Sequence, residues 1–349
     1  MIYCTLFDSN YLDRGLVLLD SLNKVDVNAK VYVLCMDDIC FQILNAEKKD
    51  NFIIIPLKNI EDDRLLGIKK QRSRGEYCWT CTAVLIKYVL EIYSEKICTY
   101  IDADMKFYAD PTVLIKEMYE NNCCVQTISH RFAPDKKRRE REKNSGRNCV
   151  QFNTFTNTEK AKKILNKWIE SCLERCSLEN GGDQKYTDTW TENRAVNISK
   201  NIGAGIAPWN INRYKLIDQN RRIVKDVYDN LEGTIIFYHF QDLVFPKENV
   251  ARVIPYLEYW KIDKKLVRII YEDYLRDLYK KNQYLVEKYN HHCRIESYIS
   301  KIQSKNITLK YRLNKWFQKP FEMKIDSINY FLRQKIRRRQ SEYKFKIED

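Results

Sequence analysis

Apolar runs recur at Ile2–Leu6, Val31–Leu34, Phe52–Ile55, Ile97–Ile101 and Cys123–Ile128, with longer mixed stretches between them. Runs this short suit buried strands, and their alternation with helix-length segments predicts an α/β sheet. Between the first two runs, Leu12, Leu16, Leu19 and Leu22 recur at helical spacing, so a helix over 12–24 should bury them in the core. After Ile128 the pattern breaks. Residues 130–147 are polar, contain Pro134 and Gly146, and pack KKRREREK into one block, which reads as a long loop placed as a lid over a cleft. Apolar patterning returns as a strand pair at Cys149–Phe155, a helix from Thr158 to about Cys176, a Gly181-Gly182 turn, and strand-like pieces at Val196–Ser199 and Ile235–Phe240. From Asn249 onward, leucine, isoleucine and tyrosine recur among lysine and arginine without strand-like runs, so helices are expected. The boundary is therefore set at 250, with residues 1–250 as the α/β domain and 251–349 as a helical, basic C-terminal region.

A chain of 349 residues with 44% hydrophobic positions can bury a large core, and this composition excludes intrinsic disorder. No apolar run approaches the length needed to cross a bilayer. The opening MIYCTLFDSNYLDRG has no basic stretch followed by an apolar core, so a cytoplasmic protein is expected. The twelve cysteines are scattered through predicted strands and helices, which suits reduced thiols, and Cys78-x-x-Cys81 has no second pair to complete a zinc set. The formal charge is +14, and residues 300–349 hold 14 Lys or Arg against 5 Asp or Glu, so +9 of it lies there. Solvated helix faces account for such a run, and so does attraction to an anionic surface, lipid or nucleic acid.

The candidate chemistry sits at the end of the fourth apolar run. In ICTYIDADMKF, Asp102 and Asp104 follow a buried strand at a spacing that puts both side chains on one side of an extended chain. Two converging carboxylates suit Mg²⁺ or Mn²⁺ shared with diphosphate oxygens, and strand ends at the middle of an open sheet are where such folds bind ligands. Further along, a Gly-Gly turn delivers Asp183 and Gln184 at a helix start, with Asp183 placed to act as N-cap. Trp209 follows the flexible Gly203-Ala204-Gly205 turn, where its ring could cover a sugar face or be buried in the core.

The order of CTLFDSNYLDRGLVLLDSL, YIDADMKFYADP, GRNCVQFNTF, GGDQKYTDTW, NIGAGIAPWN and FYHFQD resembles the metal-dependent nucleotide-diphospho-sugar glycosyltransferases of GT-A fold. Over about Met1 to Leu243 the likeness is particularly to the glycogenin and lipopolysaccharide-galactosyltransferase type, and it is closer still to uncharacterised bacterial surface-polysaccharide glycosyltransferases. The resemblance implies a mixed, mainly parallel sheet flanked by helices and transfer of a sugar from a nucleotide sugar, with UDP-sugar and retention of configuration as the family's leaning. It matches Thr5, Phe7, Asp8 and Tyr11 to the nucleotide-base pocket, Asp102 and Asp104 to the metal pair, and His239 to the histidine that completes the metal shell. Asn148 matches an asparagine near the donor sugar, and Asp183 with Gln184 the pair beside the reacting centre. Two departures stand out. The family's arginine on the helix before the D-x-D strand falls at Val84, leaving Lys87 one turn on as the phosphate contact, and FYHFQDLVF lacks the family's Gly and Lys, though Lys247 lies downstream.

The resemblance further implies a glycan or lipid-linked acceptor and a role in surface polysaccharide or lipopolysaccharide synthesis. Tyr311, Trp316, Phe317, Tyr330 and Phe331 among the tail's cations then suit peripheral contact with an anionic membrane face, with no specific nucleic acid expected. A nucleic-acid-binding protein built on that tail would leave the first 240 residues unexplained, and a non-catalytic scaffold would have no use for Asp102, Asp104 and Asp183.

Overall fold

The computed structural model describes residues 1–47, 49–247, 250–254, 262–293 and 321–324. The elements run β1 (Ile2–Phe7), α1 (Leu12–Val25), β2 (Lys30–Cys35), α2 (Asp38–Ala46), β3 (Phe52–Pro56), α3 (Asp63–Lys69), α4 (Arg74–Ile92), β4 (Ile97–Ile101), β5 (Met105–Phe107) and α5 (Thr112–Glu120). There follow β6 (Val125–Ser129), α6 (Arg138–Ser145), β7 (Asn148–Thr156), α7 (Glu159–Glu174) and β8 (Val196–Ile198). Next come β9 (Tyr214–Asp218), β10 (Ile223–Asp226), β11 (Leu231–Thr234) and β12 (Phe237–His239), then β13 (Val244–Lys247), β14 (Val250–Ile254), α8 (Lys264–Tyr289) and β15 (Phe321–Lys324).

Seven strands form one sheet in the order β3-β2-β1-β4-β7-β6-β8, with only β7 antiparallel to its neighbours. It is the α/β sheet that the alternation of runs predicts, in the mixed, mainly parallel form flanked by helices that the resemblance implies. The order of strands reverses between β1 and β4, where an open α/β sheet forms its ligand crevice beyond the carboxyl ends of the strands. On one face, Leu85, Ile86 and Val89 of α4 and Trp168 of α7 pack on Cys4, Tyr100 and Phe155. On the other, Leu18, Leu19 and Leu22 of α1 with Leu114 and Met118 of α5 meet Tyr3, Val31 and Phe152. Burial of each such leucine contributes about 2 kcal/mol, which outweighs the ~1 kcal/mol that Gly15 costs in the middle of α1. Gly15 is needed there because a Cβ would stand 2.3 Å from the Phe7 ring.

Two short strands outside the main sheet carry part of the site. β5 pairs antiparallel with β12, His239 opposite Met105 and Tyr238 opposite Lys106. α8 braces this ribbon: Lys106 Nζ lies 2.8 Å from Asp273 and 2.7 Å from Asp277, and Tyr238 Oη is 3.0 Å from Tyr271 Oη. β9, β10 and β11 form a separate antiparallel meander.

The structure departs from the expected organisation in three places. The polar block after Pro134 contains the helix α6, supported by an Arg138–Glu142 pair at i,i+4 and an Arg141–Asp135 pair. The strand pair expected at Cys149–Phe155 is the single strand β7. Third, the chain divides into two compact units other than at 250: Met1–Gln241 with Trp260–Arg294, and Asp242–Tyr259 with Ile295–Asp349. α8 thus belongs with the first unit, because its Tyr271 and Tyr274 pack on Tyr238 and Phe240 and its Leu285 joins the core cluster on α1. The second unit contains the described strands β13-β14-β15, paired antiparallel, of which β14 and β15 lie where helices alone were expected. The VARVI of β14 is rich in β-branched residues, which favour extended chain. The basic aromatic tail, with Tyr311, Trp316, Phe317, Tyr330 and Phe331, lies outside the described residues.

Candidate active site

β4 is the middle strand of seven, and the chain leaves it through a turn at Asp102–Asp104 before entering β5. Extended geometry was expected to align the two carboxylates. They converge instead through that turn, on a shared partner: His239 Nε2 lies 3.0 Å from Asp104 Oδ1 and 3.7 Å from Asp102 Oδ2. The turn is fixed from both sides, since Asp102 N donates to Gln151 O at 3.2 Å and Phe240 N donates to Asp104 O at 2.8 Å.

The imidazole is held by its surroundings. Its Nδ1 lies 3.1 Å from Gln151 Oε1, an acceptor, which fixes the proton on Nδ1 and turns Nε2 toward the carboxylates. Trp209 packs perpendicular to the ring at 5.4 Å between centroids. Trp209 in turn donates from Nε1 to His130 O at 2.9 Å, and His130 stacks on Phe132. Trp209 is half-buried and borders the site, so neither a pure core role nor full exposure describes it. Burial pushes the His130 imidazole down to about 3, which keeps this inner ring neutral.

The electrostatics of the trio follow from burial and proximity. Burial pushes the Asp102 carboxyl up to about 6, helped by Asp104 and opposed by His239. Asp104 is desolvated as well, but the nearby imidazole outweighs that and holds its carboxyl below the usual range. Burial would strip His239 of its proton, yet Asp104 and then Asp102 outweigh it and raise the ring well above its ordinary value. Among the described residues no three His, Cys, Asp or Glu side chains stand in a ready-made metal cage. His239 has closed directly onto both carboxylates. A protonated imidazole there offsets one of their two negative charges, where a divalent cation would offset both. Two carboxylates and one imidazole nitrogen are donors of the kind that suit Mn²⁺, and Mg²⁺ less well because of the nitrogen.

Asp183 approaches from another direction. Gly181 and Gly182, both at positive φ (82° and 66°), turn the chain, and a Cβ on Gly182 would come 3.1 Å from the Trp79 ring of α4. Asp183 stands ahead of the 3₁₀ helix Gln184–Glu192 but its side chain makes no capping bond there, contrary to the expected N-cap. Its backbone is locked by Trp168 Nε1, which donates to Asp183 O at 2.9 Å. The carboxyl is buried, which raises it well above the usual carboxylate range; Cys176 and then Asp102 add to the shift. Gln184 is half-buried beside it.

β7 contributes a row of buried amides. Asn148 donates from Nδ2 to Thr187 O at 2.9 Å, while its Oδ1 has no partner among the described residues. Gln151 Nε2 and both amide atoms of Asn153 are equally unpartnered there, although Gln151 and Asn153 are wholly buried. Unpaired buried amides cost about 1–3 kcal/mol each, so such a concentration calls for an explanation. Polar hydroxyls of a ligand would supply one.

The residues matched to the base pocket separate. Asp8 ends β1, accepts from Asn10 N at 2.9 Å and pairs with Arg74, which also reaches Asp37. Burial raises the Asp8 carboxyl despite that arginine. Tyr11 is exposed at this mouth with the Arg14 guanidinium 4.6 Å over its ring. Thr5 is wholly buried with its hydroxyl unpartnered among the described residues, and Phe7 turns into the core against Gly15. Lys87 is not brought to the site. It lies thirteen residues beyond Arg74 on α4, about 20 Å along the axis, and faces Glu91. The cation that does approach the strand ends from α4 is Arg74. The signal for it was in the sequence: Ser73 and Glu76 form a capping box that starts the helix at the crevice. His291 and Cys293, assigned nothing from sequence, close on the same turn, His291 Nε2 donating to Ser9 O at 2.8 Å. For Lys247 only the backbone is described, in β13 of the second unit.

His239 depends on one glycine. Gly203 O accepts from Ile236 N at 2.8 Å, and a Cβ on Gly203 would fall 1.9 Å from Thr234 O. Backbone cannot step aside as a side chain can, so Gly203→Ala should destabilise the fold by about 3 kcal/mol and displace β12. Urea melts of the variant, read against Gly67→Ala, whose Cβ meets nothing within 4 Å, check this; equal midpoints would refute it.

No family model matches the chain. Two uncharacterised proteins of Bacillus subtilis (strain 168) are similar to it. YfnD is 26% identical over 284 residues, covering 79% of this chain and 88% of its own, and YfnF is 28% identical over 304 residues, covering 82% and 96%. Among solved structures, the galactosyltransferase LgtC in complex with donor and acceptor sugar analogs aligns at TM-score 0.47 and 12% identity, over 70% of this chain and 89% of that one. Mouse xyloside xylosyltransferase 1 aligns at TM-score 0.44 and 11% identity, over 69% and 98%. Among the described residues, no helix is long and apolar enough to cross a membrane.

Proposed function

We propose that this protein is a metal-dependent glycosyltransferase that moves a sugar from a nucleotide-diphosphate sugar, a UDP-sugar by preference and with retention of configuration, to a glycan or lipid-linked acceptor in surface polysaccharide synthesis. The observation that carries the reading is the meeting of Asp102, Asp104 and His239 at the point where the strand order reverses, beside a buried carboxyl and a row of unpartnered amides. Asp102, Asp104 and His239 would hold Mn²⁺, which when bound offsets charge on the leaving nucleoside diphosphate. Gln151 orients His239, Asp8 and Tyr11 would border the base, and Asn148, which lines a cavity, would accept from a sugar hydroxyl through its unpartnered Oδ1. Asp183, desolvated and uncapped, would face positive charge developing at the anomeric carbon. Anionic lipid contact by the tail belongs to the same reading and is tested by vesicle co-sedimentation with and without residues after Lys310.

The deciding experiment is a thermal-shift panel of nucleotide sugars with and without Mn²⁺. UDP-sugars should raise the melting temperature by several degrees only when Mn²⁺ is present, since ligand at a hundred times its Kd stabilises by about 2.7 kcal/mol. A panel with no metal-dependent response would refute the reading.

A further inference from the structure

Beside Asn148 the first unit contains a cavity of about 320 Å³ whose walls include Arg131, Phe132, Arg138, Glu142 and Arg147. Its charge balance is one-sided. Arg138 is answered by Glu142 at 2.7 Å. Arg131 is fixed by three backbone carbonyls, Ser199 O at 3.0 Å, Asn201 O at 2.6 Å and Ala204 O at 3.3 Å, and no carboxylate neutralises it among the described residues. The Arg147 guanidinium is exposed and meets neither a hydrogen-bond acceptor nor a carboxylate among those residues, while its backbone is pinned, N to Asp188 Oδ1 at 2.5 Å and O to His130 N at 2.8 Å. Two guanidiniums that no carboxylate answers among the described residues, Arg131 anchored on backbone carbonyls and Arg147 exposed on a fixed backbone, thus line one cavity together with buried Phe132. Guanidinium favours planar, bidentate pairing with phosphate or carboxylate over neutral hydroxyls.

We infer that this cavity binds an anionic group on the acceptor, a phosphate or a sugar carboxylate, and so selects acidic acceptors over neutral ones. The inference rests on the glycosyltransferase reading for the word acceptor, since Asn148 both lines the cavity and belongs to the amide row of the donor site. The anion site itself stands on the arginines alone.

The test is calorimetric titration of the full chain with inorganic phosphate, glucuronate and glucose as probes, on wild type, Arg147→Ala, Arg147→Lys and Asp104→Ala. Wild type should bind phosphate or glucuronate and give no signal with glucose at equal concentration. Whichever anion binds more tightly identifies the group. Arg147→Ala should weaken the anion about tenfold or more, the effect of one charge-assisted hydrogen bond, with Arg147→Lys between the two. Asp104→Ala should bind the anion as wild type does, even if it has lost every nucleotide response. Equal anion binding by wild type and Arg147→Ala would overturn the inference, as would glucose binding as well as the anions. Loss of the anion in Asp104→Ala with retention in Arg147→Ala would place it at the carboxylate site and overturn it too. Metal-dependent nucleotide binding that fails in wild type while the arginine effect holds would remove the donor reading and leave the anion site in place.

Discussion

Asp104→Ala should abolish the Mn²⁺-dependent response to nucleotide sugars and reduce turnover by about a thousandfold or more, the loss of several kcal/mol of transition-state charge stabilisation. Asp104 is the better target of the pair because it is the nearer to His239, at 3.0 Å against 3.7 Å for Asp102. It is also the carboxylate that stays ionised most readily, since the imidazole holds it below the usual range while burial lifts Asp102 to about 6. Removing one partner of a buried ion pair is costly when a charge is stranded. Here His239 can release its proton once Asp104 is gone, so the fold should survive with a modest loss. Asp104→Asn, which keeps the shape, separates lost charge from lost packing. The readouts are donor hydrolysis, transfer, and the melting shift with and without Mn²⁺. A variant that keeps the metal-dependent shift would remove Asp104 from the metal site.

Much of the fold is legible in the sequence because parallel strands buried on both faces read as unbroken apolar runs. β1, β2, β3, β4 and β6 lie within one or two residues of those runs. In the short ribbon β12 falls inside the strand-like piece Ile235–Phe240, but β5 escapes this signal: three residues are too few to show a period, and Lys106 interrupts the apolar pattern while being buried against Asp273 and Asp277. α8 was legible as a helix but not as part of the first unit, because amphipathic spacing shows that a face is buried without showing against what. In the site, Asp102, Asp104 and His239 come together, whereas Phe7 and Lys87 do not. Position in an alignment says nothing of which way a side chain turns or how far along a helix it lies. Gln151 was missed, although a glutamine in the apolar CVQFNTF strand is itself a sign of a buried polar task. Arg74 was missed because its reach comes from a long side chain at a helix start rather than from the residue nearest the motif.

Asp183→Asn should leave metal-dependent nucleotide binding within about twofold of wild type while lowering kcat by about a hundredfold to a thousandfold, the range for removing one preorganised electrostatic group at a reacting centre. The substitution keeps size and leaves the helix start intact, because the Asp183 side chain makes no capping bond and Trp168 holds the backbone carbonyl. It should also stabilise the protein. Burial raises the Asp183 carboxyl well above the usual range, so from about pH 4, the ordinary aspartate value, up to its folded pKa the native state holds a proton that the unfolded chain has released. Stability therefore falls as pH rises through that window. Asparagine has no such penalty. The melting temperature of Asp183→Asn should accordingly exceed that of wild type at pH 7 and converge with it toward pH 4. A residue kept at a cost to the fold and lost at a cost to turnover is one retained for chemistry. If the variant turned over as fast as wild type, Asp183 would have no part at the reacting centre; if nucleotide binding fell as far as kcat, its role would be in holding the donor.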